Sequence, residues 1–221
     1  MIKKALKIIL KVVGGFLLLL LIIALVTYLF VNEPKPSGVS GDRAEKLADE
    51  MFAALNKPAY DTLKYVEFVF KGIHRYKWNK RNNQVFVSWG ENEVFLDLNL
   101  NAGSYNEIET TAYEYFINDS FWLVAPFKVR DDGVIRFTLD VEKGRGLLVT
   151  YTSGGITPGD SYLWIIDENG FPKAWKLWTS NVPVGGLEFS WEKWEELGNV
   201  YFSTLHKNSV LDLDISALVV R

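Results

Sequence analysis

The chain has 221 residues, with 24 Lys and Arg against 27 Asp and Glu and a formal net charge of −3. This length is typical of one ordinary domain with an additional segment. The chain contains no cysteine, which excludes disulfide bonds, thiol catalysis and lipid attachment through a cysteine.

The additional segment is at the N-terminus, where twenty uncharged residues, Val12–Val31, follow four lysines. As a helix they would span about 30 Å, the thickness of a bilayer's hydrocarbon core. The bulky residues Tyr28, Leu29 and Phe30 stand where a signal-peptidase site needs small side chains. The pattern therefore favours an uncleaved signal-anchor over residues 1–31, with a cleaved signal peptide and secretion to the periplasm as the alternative.

The lysines also predict orientation, because positive residues before a span keep the N-terminus in the cytoplasm. We therefore expect a single-pass protein of the bacterial inner membrane with its body in the periplasm. Residues 32–41, "NEPKPSGVSG", have two prolines and two glycines and no periodicity, which predicts a flexible tether. Residues 42–221 form the predicted domain.

The part of the chain beyond the anchor is acidic. It keeps all 27 Asp and Glu but only 20 of the 24 Lys and Arg, which gives residues 32–221 a formal charge of −7. An acidic body without a basic stripe argues against a nucleic-acid partner. We expect a membrane partner through residues 12–31, and the sequence leaves the oligomeric state open.

Two amphipathic helices are predicted in the domain. The first begins with Asp42 and Glu45, which have the spacing of a capping box, and it ends before Pro58. The second begins with the same spacing at Ser104 and Glu107 and runs to about residue 118.

The remaining pattern consists of short β-rich runs separated by turn residues. The predicted strands are 64–70, 73–79, 84–89, 93–99, 134–141, 146–152, 161–167, 172–180, 187–195, 199–206 and 210–214. Tight turns between them predict an antiparallel meander. The predicted fold is mainly β (α+β): a large antiparallel meander curled into a half-open barrel, with the helices as a lid and one N-terminal transmembrane helix.

Few motifs in the sequence carry chemistry. His74 and His206 are far apart and match no metal-ligand spacing, and the glycine-rich stretch 151–162 matches neither a P-loop nor a dinucleotide fingerprint. We predict no metal site and no cofactor, and we interpret 151–162 as a long hairpin loop.

Paired carboxylates are the catalytic alternative. The alternative is a glycan or lipid hydrolase that uses such a pair; a retaining glycosidase, for example, needs two carboxyl groups about 5 Å apart. The candidates are Asp119, Asp131, Asp132 and Glu188. Asp119 follows the predicted end of a helix, and Asp131-Asp132-Gly133 is typical of a turn, so the non-catalytic interpretation is preferred.

The aromatic residues are more informative, since 14% of the chain is Phe, Trp or Tyr, including eight tryptophans. Tryptophans three residues apart on one strand point to opposite faces of a sheet, so one of these faces is available to a cavity. We predict that six aromatic residues at the lid exit and on the sheet bind a ligand: Phe116, Trp122, Phe127, Trp164, Trp175 and Trp191. The alternative is a filled barrel that docks on another protein of the cell envelope.

The order of elements, with the segments "INDSFWLVAPFKVRDDG" and "GLLVTYTSGGITPGDSYLWIIDENGFPKAW", resembles the periplasmic lipoprotein-localisation superfamily of Gram-negative bacteria. The likeness covers most of 42–206. It implies a half-open β-barrel with a helical lid over an apolar cavity that holds acyl chains. The sequence thus predicts a membrane-anchored, non-catalytic envelope protein whose partner is a lipid, an acyl chain or another apolar ligand.

Overall fold

The computed structural model describes residues 2–142, 144–154 and 156–221. These residues form four α-helices: α1 (Ile2–Val31), α2 (Asp42–Leu55), α3 (Lys57–Thr62) and α4 (Glu107–Val124). Two 3-10 helices lie at Ala102–Ser104 and Ala125–Phe127. The strands are β1 (Tyr65–Phe70), β2 (His74–Asn79), β3 (Gln84–Trp89), β4 (Asn92–Asp97), β5 (Val134–Asp140), β6 (Arg145–Tyr151), β7 (Ser161–Ile166), β8 (Pro172–Trp178), β9 (Leu187–Ser190), β10 (Glu192–Leu197), β11 (Val200–Lys207) and β12 (Asp212–Val220).

The strands form two antiparallel sheets. One has the order β5-β6-β7-β8-β9, and the other has the order β10-β11-β12-β1-β2-β3-β4. The prediction of a mainly antiparallel β fold with a few helices is confirmed. Within the described residues the two sheets do not close into a barrel, because β4 and β5 are not paired and the chain between them forms α4.

The predicted strand 187–195 is wrong, because the chain changes sheet within it. β9 pairs with β8, whereas β10 pairs with β11. Trp191 lies between them, and its backbone N–H donates to the carbonyl of Lys173 at 2.7 Å. The predicted strand 210–214 is too short, since β12 runs to Val220 and pairs with β1 as well as β11.

The helix boundaries also differ from the prediction. The N-cap of α2 is Gly41, with no side-chain cap. Glu45 does not reach back, because its carboxylate accepts from Arg136 Nε at 2.7 Å. The cap of α4 lies two residues beyond the predicted one, and this helix continues to Val124 before the 3-10 turn that contains Pro126.

The core lies between the two sheets and helices α2 and α4. α2 packs its buried side chains against the strands of both sheets, including β5 and β11, and α4 packs against β4 and β11. The largest fully buried side chains include Trp164, Trp175, Trp191 and Tyr76. Burial of aromatic surface on this scale is the main favourable contribution to the free energy of folding.

The N-terminal helix and the segment after it complete the fold. The described apolar side chains of α1, such as Leu17 and Leu21, are exposed. Among the described residues, no helix meets the length and hydropathy that a membrane span requires. Segment 32–41, the predicted tether, is held against the body at two places: Glu33 bonds to Gly185, and Val39 pairs with Thr138.

Candidate functional site

A cavity of about 490 Å³ lies along α4, between this helix and both sheets. Its apolar lining consists of Trp78, Leu98, Tyr113, Phe116, Ile117, Phe121, Trp122, Val124, Tyr151, Ile156, Tyr162, Trp175, Leu177 and Val182. The volume falls within the range of small-molecule pockets, which are about 300–1,000 Å³ and mostly apolar.

Helix α4 forms one wall of the cavity. Its sequence fixes the N-terminus of the helix with a capping box and places apolar residues along one side. The N-cap Asn106 accepts from the backbone N–H of Glu109 at 3.0 Å, and the Glu109 carboxylate accepts from the N–H of Asn106 at 2.9 Å. From this capping box the helical repeat brings Phe116, Ser120 and Val124 to one side.

The opposite wall is formed by the face of β7 and β8 that carries Tyr162, Trp175 and Leu177. Tyr162 and Trp175 are stacked with their ring centroids 4.7 Å apart, and Phe121 of α4 lies over the Trp175 ring at 5.8 Å. The edge of the Trp122 ring meets Trp175 at 4.9 Å. The helix and sheet therefore meet through aromatic contacts on one side of the cavity.

The apolar lining contains a few polar atoms. Among the described residues, three buried donors that belong to lining residues have no hydrogen-bond partner: Trp78 Nε1, Tyr151 Oη and Trp175 Nε1. Burial, together with the Asp131 carboxylate, raises the pKa of Tyr151. The pKa of Tyr162 is also raised, first by burial and then by Asp160. Both phenols are therefore neutral, and the cavity offers donors but no cation to a ligand in its interior.

The mouth of the cavity is polar. The exposed side chains of Asp131, Asp132, Ser153 and Asn181 mark this opening, and Lys128, Thr157, Asp160 and Thr179 belong to the polar lining beside it. Lys128 and Asp131 form an ion pair, and the Asp160 carboxylate accepts from Thr157 Oγ1 at 2.6 Å and from the Ser180 N–H at 3.0 Å. A polar mouth above an apolar interior suits a ligand with a polar end and an apolar body.

The six predicted site residues fall into two groups. Phe116, Trp122 and Trp175 line the cavity. The other three lie in the core outside it: Phe127 is stacked on Tyr60 with centroids 4.1 Å apart, and the Trp164 and Trp191 rings are 4.9 Å from each other. Only the first group is placed to touch a ligand in this cavity.

The lining includes residues that the sequence interpretation missed, notably Trp78, Phe121, Tyr151 and Tyr162. Period-2 alternation would have indicated Tyr162, because it shares a face with Trp164 on β7. No sequence signal indicates Trp78, since β2 is distant in sequence and reaches the cavity only through the sheet topology.

A second polar arrangement lies beside the cavity. Asp119, on α4, is 3% exposed. Its Oδ2 is 2.6 Å from His74 Nδ1 and accepts from Tyr76 Oη at 2.6 Å, while its Oδ1 accepts from Asn118 Nδ2 at 3.0 Å. The His74 ring is stacked on Tyr115 at 4.2 Å. This cluster fixes α4 to β2, and the interpretation of Asp119 as a residue leaving the helix is wrong.

The candidate catalytic carboxylates are divided among three places. Asp131 and Asp132 line the mouth, Asp119 is directed towards β2, and Glu188 is exposed on β9 opposite Lys176. Within the described part of the chain, no group of three or more His, Asp and Glu side chains could hold a metal ion.

Comparison with models of known protein families and with curated proteins gave no match for this chain. The resemblance to the lipoprotein-localisation superfamily therefore stays a prediction from the order of elements and the quoted segments.

Proposed function

We propose that this protein is a membrane-anchored envelope protein that binds a lipid or another apolar ligand without catalysis. The observation that carries the proposal is the aromatic cavity of about 490 Å³ along α4. A lined cavity of this size accommodates an acyl chain, because burial of apolar surface stabilises a complex by about 25 cal/mol per Å².

The membrane anchor is supported by the sequence of α1 and by its surroundings. Val12–Val31 carry no charge, and the described side chains of this segment are exposed rather than packed on the body. An exposed apolar helix of this kind needs a cover, and a bilayer provides one along its whole length. The four preceding lysines favour a cytoplasmic N-terminus and a periplasmic body.

The half-open barrel and helical lid are also part of the proposal. Among the described residues β4 and β5 do not pair with each other, which leaves the arrangement of sheets open, and α4 lies between those strands in the chain. The same arrangement is implied by the resemblance to the lipoprotein-localisation superfamily, in which the lid covers an acyl-chain cavity.

Two other functions are ranked lower. A filled interaction module would have a cavity volume near zero, which the volume along α4 argues against. A hydrolase requires converging carboxylates or a His–carboxylate pair open to substrate. His74 and Asp119 do form such a pair, but neither lines the cavity, and the pair is used to hold α4 on β2.

Photolabelling of the full-length chain tests the lipid proposal. The chain is reconstituted in phosphatidylethanolamine–phosphatidylglycerol vesicles that contain a phospholipid with a diazirine in its acyl chain, and the labelled peptides are mapped by mass spectrometry. We expect label on the peptides of α4 and of β7–β8, in addition to α1, because an acyl chain in the cavity contacts Phe121, Tyr162 and Trp175.

A pair of variants on the same helix provides the control. Ile117→Trp places a larger side chain in the cavity and should reduce the label on β7–β8 at least threefold. Ile108→Trp changes an exposed residue of α4 that does not line the cavity, and the label should be unaffected. Label confined to residues 12–31 in the wild type would contradict lipid binding by the domain.

A further inference from the structure

The end of α1 is fixed to the turn between β8 and β9. The backbone N–H of Glu33 donates to the carbonyl of Gly185 at 2.9 Å, and the N–H of Gly185 donates to Asn32 Oδ1 at 2.8 Å. The Trp178 indole N–H donates to the carbonyl of Glu33 at 2.8 Å. Only Asn32 separates this contact from the last helical residue, Val31.

Side chains and glycines make the junction specific. Lys176 Nζ lies 2.8 Å from both carboxylate oxygens of Glu33. A Cβ at Gly185 would lie 2.8 Å from the Glu33 carbonyl oxygen, and one at Gly186 would lie 2.6 Å from Glu33 Cβ. The backbones therefore approach so closely that the turn requires residues without side chains at these two positions.

The junction lies at the same end of the domain as the mouth of the cavity. A groove beside residues 32–35 shares three of its lining residues with the cavity: Asp160, Thr179 and Val182. The groove thus runs from the end of α1 to the mouth.

The opposite end of this sheet is far from the junction. Ser161 pairs with Trp178 at the junction end, whereas Ile166 pairs with Pro172 at the other. Since a strand rises about 3.3 Å per residue, the turn at Glu168 lies roughly 20 Å from the junction. The two ends of β7 and β8 are therefore distinguishable by their depth relative to a membrane that holds α1.

Resting on the proposed anchor and lipid ligand, we propose that the junction holds the mouth of the cavity against the surface of the bilayer that contains α1. A lipid then passes from this bilayer into the cavity without crossing water. Transfer along this route avoids exposing the acyl chain to solvent, which is unfavourable in proportion to the apolar area exposed. The partner of this face is the protein's own membrane.

Depth-dependent quenching of two single-cysteine variants tests the proposal, since the chain has no other cysteine. Asn181→Cys lies at the mouth and Glu168→Cys lies at the opposite end of the sheet, and both positions are exposed. Each full-length variant is labelled with bimane and reconstituted in phosphatidylethanolamine–phosphatidylglycerol vesicles that contain a phospholipid with a nitroxide on its headgroup. We expect at least threefold stronger quenching at position 181; equal quenching, or stronger quenching at 168, overturns the proposal.

Variants of the junction show whether these contacts set the depth. In the Asn181→Cys background, Gly185→Val should reduce the quenching towards that at position 168, because a side chain there meets the Glu33 carbonyl. Gly103→Val is the matched control, since the nearest atom to a Cβ there is 3.6 Å away, and the quenching should not change. Glu33→Pro removes both the N–H that bonds Gly185 and the carboxylate that pairs with Lys176, and it should act like Gly185→Val. Unchanged quenching in both junction variants overturns the role of the junction.

The outcome also separates this proposal from the one on which it rests. Photolabel on α4 and β7–β8 with equal quenching at 181 and 168 leaves lipid binding intact and refutes the orientation of the mouth. Stronger quenching at 181 without photolabel on the domain keeps the orientation and refutes the lipid ligand.

Discussion

Asp119 is a buried carboxylate, and at the residue scale its hydrogen-bond partners define its role. Two side chains of β2 meet its Oδ2: Tyr76 Oη donates to it at 2.6 Å, and His74 Nδ1 lies 2.6 Å from it. Burial and the nearby Asp119 carboxylate raise the pKa of Tyr76, so the phenol stays protonated and keeps donating. A group with all of its partners inside the protein contributes to the free energy of folding and to the position of α4 on the sheet.

Loss of the Asp119 carboxylate should destabilise the domain. Asp119→Ala leaves the Tyr76 hydroxyl and the His74 ring without their carboxylate partner in the interior, which costs about 3–5 kcal/mol of the free energy of unfolding. Asp119→Asn keeps an acceptor oxygen, so a smaller loss is expected. The measurement is urea unfolding of the full chain in mild detergent, followed by tryptophan fluorescence.

Asp132→Ala is the matched control because Asp132 is exposed at the mouth of the cavity. Its effect should stay within about 0.5 kcal/mol. The same two variants distinguish a hydrolase, for which both changes abolish activity on a glycan or lipid ester while the domain stays folded. A stable, folded Asp119→Ala domain would contradict the structural role assigned here.

At the scale of the element, α4 depends on the way it begins. Asn106 and Glu109 satisfy each other's backbone donors in a capping box. This helix supplies a wall of the cavity, so its start sets the position of Phe116 and Phe121 relative to the sheet. Fraying of the first turn would loosen that wall from its N-terminal end.

We predict that Asn106→Ala lowers the free energy of unfolding by about 1 kcal/mol, because it removes the acceptor for the Glu109 N–H. Ser104→Ala is the control: its sequence spacing to Glu107 is the same, but Ser104 lies in the preceding 3-10 helix and not at a cap. Its effect should be within about 0.5 kcal/mol. If urea unfolding gave the same loss of unfolding free energy for both variants, the cap at Asn106 would have no specific stabilising effect on this helix.

The two candidate caps illustrate what a sequence can and cannot determine about an element. Ser104–Glu107 and Asn106–Glu109 have the same spacing, so local pattern alone cannot choose between them. The structure places the cap at Asn106, and the hydroxyl of the preceding Tyr105 donates to the Asp97 carbonyl at 2.9 Å, a tertiary contact that the spacing does not indicate. Likewise, the interruption of the strand at Trp191 occurs because the chain passes from one sheet to the other there. Strand propensity does not predict which sheet a strand joins.

At the scale of the whole molecule, the cavity is a product of topology. Alternation along β7 and β8 and the apolar stripe of α4 could be predicted from sequence, and with them Phe116, Trp122 and Trp175. The remaining wall comes from Trp78 on β2 and from Leu98, directly after β4, and these strands are placed in the seven-stranded sheet by the pairing of β12 with β1. That long-range pairing has no local signature, and neither has the placement of Phe127, Trp164 and Trp191 in the core rather than the cavity.

His206, at the point where α4 and both sheets meet, makes the stability of the whole domain depend on pH. Its ring is fully buried against Trp122 and Trp191, at centroid distances of 5.4 and 4.3 Å. Burial lowers the pKa of His206 to about 4, although the Ser190 carbonyl and Glu192 raise it in part. The folded state therefore binds fewer protons than the unfolded state between the unfolded pKa of 6.5 and pH 4.

Because the unfolded chain takes up the proton first, the contribution of neutral His206 to stability is fully present above pH 6.5 and is lost as the pH falls towards 4. The loss between pH 7 and pH 5 should be about 2 kcal/mol. His206→Leu replaces the imidazole by an apolar side chain that does not titrate. In urea unfolding of the full chain at pH 7, 6 and 5, the free energy of unfolding of the wild type should fall relative to that of the variant. Parallel pH profiles for the two proteins would contradict a buried neutral imidazole.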